Sequence, residues 1–130
     1  MGQLEVAYLS LAGAVALLIG AGMVFMPAPF YGSYGIELME SVDLANELRS
    51  PGLWLALVGV SIGVGTFRRH LRSLSLGIAT MLYLSYAAAR SVSIALDGLP
   101  GTGLLIAMAA ELLLGLGGAF LVWRHRKSAR

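Results

Sequence analysis

Four long apolar runs govern what this chain can become: residues 5–26, 51–67, 73–96 and 102–123. Each is close to the ~20 residues that carry a helix across a ~30 Å hydrocarbon layer at 1.5 Å per residue. Strands would not serve, because open strands leave backbone groups unpaired in lipid and the period-two alternation of a barrel is missing. The overall balance agrees. Of the 130 residues 58% are hydrophobic and only 12% charged, whereas soluble domains carry about 25% charged residues. The pattern predicts an all-α fold: one integral membrane four-helix bundle over residues 1–130. Its helices are expected at about 5–26, 44–67, 73–96 and 102–123, with an outer loop over 27–43. The second helix is extended back from its apolar run because the polar stretch Ser41 to Ser50 leads into it.

Positive charge sets the expected orientation. Arg68, Arg69 and Arg72 crowd the second connection, and Arg124, Arg126, Lys127 and Arg130 crowd the tail. The positive-inside rule assigns both to the cytoplasm. Glu37, Glu40, Asp43 and Glu47 then face outward with Asp97, and four crossings place both termini inside. The first run begins with Glu5 and no basic residue, unlike a cleavable signal peptide, so it is expected to remain as a helix. Topology alone accounts for the net charge of +2. No nucleic acid partner is implied, and membrane lipids are the expected surroundings.

Aromatic side chains fit the same depths. Phe25, Phe30, Tyr31, Tyr34 and Trp54 fall at the outer side and Phe67, Phe120 and Trp123 at the inner, a distribution typical of interfacial anchors. Lining of a ligand mouth is the alternative for the outer set. Between them, "IELMESVDLANEL" (36–48) has the pattern of an amphipathic surface helix capping the bundle.

Small residues recur at helical spacing: Ser10, Gly13, Ala16 and Gly20 on the first helix; Gly52, Ala56, Gly59 and Gly63 with Arg49 on the second; Ala107, Gly115 and Gly118 with Glu111 on the fourth. Such stripes let helix backbones approach closely in lipid. They read as internal seams, with a homo-oligomer face as the alternative.

The third run holds the least expected residue, Arg90. At 100° per residue Tyr83, Tyr86, Arg90, Ser93 and Asp97 fall within about an 80° arc. A charge on a lipid-facing helix costs about 2.5–3.5 kcal/mol on insertion scales, so this face should turn inward and find a partner. Counting outward from the turn "DGLPG" puts Arg90 and Glu111 at similar depth, roughly 13–17 Å below the turn. They are expected to pair. Asn46, Glu47 and Arg49 lie at the outer end of the second helix, and the candidate site is the convergence of Asn46, Glu47, Arg49, Tyr83, Tyr86, Arg90, Ser93, Asp97 and Glu111.

The motifs "NELRSPGLWLALVG", "AARSVSIALDGLP" and "AELLLGLGG" resemble the family of small four-helix membrane proteins known as domain of unknown function 4345, akin to DoxX-like proteins. The resemblance implies a four-helix bundle in the bacterial cytoplasmic membrane. It places the family's polar positions on Asn46, Glu47, Arg49, Arg90, Ser93, Asp97, Gly98, Pro100 and Glu111, and it supplies no activity. Departures fall at Ser50, Pro51 and Gly52 after the first arginine and at Ala89 before the second.

Several functions compete for these residues. An outward cleft with two arginines and tyrosines suits the head of a lipid, quinone or other amphiphile, making the chain a ligand-binding or accessory module of a larger membrane complex. A dimeric proton-coupled transporter working through Glu111 is the alternative, opposed by an arginine that would hold that carboxylate ionised. A purely structural ion-pair network is the third. An enzyme is not expected: no cysteine is present, which removes thiol exchange and thiolate metal sites. His70 and His125 lie in the basic clusters and read as solvated, so no cofactor is expected.

Overall fold

The computed structural model describes residues 2–38 and 41–130. It is all-helical: α1 Gly2–Phe25, α2 Pro27–Gly32, α3 Val42–Phe67, α4 Arg72–Asp97 and α5 Thr102–Ser128, with a 3-10 turn at Arg69–Leu71 between α3 and α4. Helices α1, α3 and α5 are long and apolar enough to cross a membrane. Helix α4 is of similar length but less apolar, because Arg90, two tyrosines and five serines fall within its Arg72–Asp97 span.

Helix α1 packs chiefly on α3, and α4 chiefly on α5. The α1–α3 seam joins the two stripes of small residues, running antiparallel. A β-carbon on Gly13 would sit 2.9 Å from Gly59 O and Gly63 N, and one on Gly20 would sit 2.6 Å from Gly52 O. Only glycine lets the two backbones come this close. On the other pair Gly115 faces Leu84 of α4, and Gly118 faces Thr80 of α4 and Tyr8 of α1. The α4–α5 turn depends on Gly98, whose φ of 93° suits a residue without a β-carbon; its N–H caps α4 by donating to Ile94 O.

Two halves differ in filling. Near the first turns of α1 and the last turns of α5, the buried core is dry: Leu9, Ala12, Ile62, Leu76, Ala79 and Leu121. Polar groups there are all bonded. Tyr8 donates to Leu114 O at 2.7 Å, Tyr83 to Ala12 O, and Ser75 to Ser61 O at 3.0 Å. Each hydroxyl ties one helix to another by a carbonyl, which keeps polar atoms satisfied where water is absent. The half nearer α2 and the α4–α5 turn is hollow.

The segment expected as an outer loop over 27–43 differs from that expectation. Pro27 sits at the first position of a short helix, where its lack of an N–H costs nothing, and α2 folds back so that Phe30 meets Gly22 of α1. The expected amphipathic helix from residue 36 is absent over 36–38, which are non-helical. Helix α3 begins at Val42, capped by Ser41 Oγ accepting from Leu44 N at 3.2 Å. Met39 and Glu40, assigned by pattern to that loop and helix, lie outside the described residues. Because α3 starts so early, Pro51 lies within it rather than in its first turn.

Candidate functional site: a tyrosine-lined cavity beside an ion pair

The α4–α5 hairpin brings Arg90 and Glu111 together. Arg90 Nε donates to Glu111 Oε2 at 2.7 Å and Nη2 donates to Oε1 at 2.9 Å. This is the two-pronged arrangement that suits a guanidinium to a carboxylate. Side-chain exposure of 28% and 13% places the pair partly out of solvent.

The pair stands on the wall of a cavity of about 520 Å³, within the range that holds small-molecule ligands. Helix α1 supplies Val15, Ile19 and Met23, α3 supplies Leu55, and α5 supplies Ile106, Ala107, Ala110 and Leu114. Tyr83 and Tyr86 line it from α4, and Phe30, Tyr31 and Tyr34 line it from α2 and the following turn. Phe30 meets Tyr31 and Tyr34 edge-on, with ring centroids 5.1 and 5.4 Å apart. These three rings therefore face a cavity, while Phe25 and Trp54 of the same predicted belt stay exposed.

Hydrogen bonding separates the tyrosines. Tyr83 spends its hydroxyl on Ala12 O. Tyr31, Tyr34 and Tyr86 make no side-chain hydrogen bond among the described residues, and Arg90 Nη1 makes none either. Burial raises the Tyr31 phenol above its ordinary value, and the neighbouring Tyr86 and Tyr34 oxygens raise it further. It stays a neutral hydroxyl, able to donate or accept.

The other predicted site residues go elsewhere. Asn46, Glu47 and Arg49 are exposed, and none lines the cavity. Arg49 follows its helical stripe onto α1, where its Nε donates to Val24 O at 2.9 Å. It thus serves the last turn of α1, whose carbonyls lack helical partners, and it does not reach Arg90 or Glu111. Ser93 and Asp97 bond to each other one turn apart at 3.4 Å on the exposed end of α4. Of the nine, the structure brings Tyr83, Tyr86, Arg90 and Glu111 together on the cavity wall, while Asn46, Glu47, Arg49, Ser93 and Asp97 lie elsewhere.

A second polar cluster escaped the pattern reading. Glu5, 6% exposed, lies 3.1 Å from His125 Nδ1 and 3.8 Å from Arg72 Nη1, and Arg72 Nε also donates to Gly65 O at 3.3 Å. His125 is thus a bonded, half-buried group and not a solvated one. Nearby, Lys127 lies 4.3 Å from the centroid of Trp123 and Arg124 5.5 Å from that of Phe120.

Among known sequences, the family described as Domain of unknown function (DUF4345) matches residues 5–123. The chain belongs to the DUF4345 family. No curated protein and no solved structure matches it. The match takes in the cavity with its ion pair and, of the second cluster, Glu5 and Arg72 of this DUF4345 chain; His125 lies just beyond it.

Proposed function

We propose that this DUF4345 protein is a four-span protein of the bacterial cytoplasmic membrane that binds an amphiphile in its cavity, as a binding or accessory module rather than an enzyme. One observation carries the reading. An otherwise apolar cavity presents three phenol hydroxyls and a guanidinium nitrogen that no described protein group engages. Sites for small ligands are built in this way, from greasy walls and a few aimed polar groups.

Helix α4 counts as the fourth span because it runs antiparallel to α5 through the Arg90–Glu111, Leu84–Gly115 and Thr80–Gly118 contacts. Its 26 residues extend about 39 Å at 1.5 Å each. Ser75 and Tyr83 are buried and Arg90 is half-buried against the other helices, while Leu74, Met81, Val92 and Leu96 face outward. Arginines 68, 69, 72, 124 and 126 then lie on the cytoplasmic side with both termini. A fluorescent protein fused after Arg130 should be bright, and alkaline phosphatase inserted after Gly35 should be active. The reverse pair of signals would invert the orientation.

Native mass spectrometry of protein extracted in mild detergent tests the binding role: a retained amphiphile is expected. Tyr86→Phe should weaken retention roughly three- to tenfold, the worth of one hydrogen bond, with thermal stability unchanged. Arg49→Lys should leave retention unaltered. Bare protein that retains no added amphiphile would overturn the role. A proton-coupled transporter fits less well, because both Glu111 oxygens are already engaged by Arg90.

A further inference from the structure

We infer that the cavity takes an uncharged membrane lipid that slides in sideways from the bilayer through a gap between α1 and α5, an inference that rests on the binding role above. Two independent observations support it, one of shape and one of charge.

Shape gives the route. The hydrogen-bonding links between α1 and α5, Glu5–His125 and Tyr8–Leu114, sit at the end away from α2. Beyond Leu114 no described hydrogen bond or ion pair joins the two helices, and the cavity lies between Ile19 on one side and Ile106 and Ala110 on the other. Ile106 lines the interior and is yet 66% exposed, and Ala110 is exposed as well. Residues that belong to a cavity and to the outer surface at once mark its mouth. Above, the chain at Tyr34 closes down on Gly103, where an added β-carbon would lie 3.4 Å from Tyr34 Cα. The roof is covered and the side is open. Both helices flanking the opening are apolar enough to cross a membrane, so the opening faces acyl chains.

Charge gives the head group. Glu111 already neutralises Arg90 through both oxygens. An anionic head would bring an unmatched negative charge into a low-dielectric site, and a cationic head an unmatched positive one. A carbonyl or hydroxyl can instead accept from Arg90 Nη1 and exchange hydrogen bonds with the phenols without adding charge. A head bearing ester or hydroxyl oxygens, with chains trailing out between the helices, satisfies both constraints.

The test uses the full chain in phosphatidylcholine nanodiscs, fed from donor vesicles containing dioleoylglycerol or, separately, dioleoylphosphatidylglycerol. Occupancy is followed in time by native mass spectrometry. Dioleoylglycerol should be retained at least tenfold better than the anionic lipid. Ala110→Trp, which overhangs the gap, should slow its uptake at least tenfold. Met81→Trp, exposed on the face of α4 turned away from Tyr83 and outside the cavity, should not. Ile106→Trp repeats the blockade at an exposed site should Ala110→Trp fold poorly. Equal uptake by wild type and both gap variants would overturn the lateral route and leave the binding role standing. Better retention of the anionic lipid would overturn the neutral head. Retention of neither lipid, with protein isolated bare, would remove the binding role itself.

Discussion

Replacing Glu111 by leucine should destabilise the protein by about 3 kcal/mol, the lower end of the cost of stripping one partner from a buried ion pair. The lower end applies because Arg90 keeps 28% of its side chain exposed and can recover some solvation. The damage comes less from the lost attraction than from the guanidinium left behind beside Tyr34 and Tyr86 on an otherwise apolar cavity wall. Removing that charge as well should therefore give back much of the loss. In a double-mutant cycle with Arg90→Leu, followed by equilibrium unfolding in mixed micelles, the coupling energy should reach about 1–3 kcal/mol. Strictly additive losses would mean that the two side chains do not depend on each other in solution.

Gly20→Val should be comparably severe for a different reason. The new β-carbon would lie 2.6 Å from Gly52 O and 2.8 Å from Ala56 Cα. Those neighbours are backbone, so nothing can swing aside, and α1 and α3 would have to separate along their whole seam. Overpacking of this kind costs about 3 kcal/mol or more. Thermal unfolding in detergent should show a large drop in Tm, or the variant should fail to accumulate. Gly63→Ala makes the contrast. A β-carbon there meets nothing within 4 Å, and replacing a helical glycine by alanine gains up to about 1 kcal/mol. Equal damage from both substitutions would show that the close α1–α3 approach at Gly20 does not set the difference.

How far these features could be read from residues depends on how local their causes are. The Arg90–Glu111 pair was legible because a tight turn with Gly98 and Pro100 fixes the register of a hairpin, and helical rise does the rest. The small-residue stripes were legible as faces for the same reason. Which neighbour a face meets is not written in its period. Arg49 shares a stripe with Gly52 and Gly59, and that stripe turns to α1, away from α4 and α5. The Glu5–His125 contact spans 120 residues and has no local signature at all. A faint signal existed: an acid in the first turn of an apolar helix and a histidine in the last turn of α5, with two long helices, α3 and α4, between. Tyr31 and Tyr34 look like interfacial anchors by position, and only the fold-back of α2 after Pro27 turns them onto a cavity.

The Glu5 cluster bears on how the molecule comes together during synthesis. Its carboxylate is made before Arg72, and Arg72 before His125, so the acid meets its partners in two instalments. Arg72 can reach it once α4 begins, giving a nascent three-helix intermediate a provisional clasp at the rim. His125 arrives only after α5 is made, and closes the circuit between the first turn of α1 and the last turn of α5. Long-range closures of this kind come late in folding, so α5 docks onto an acid already set in place by α1.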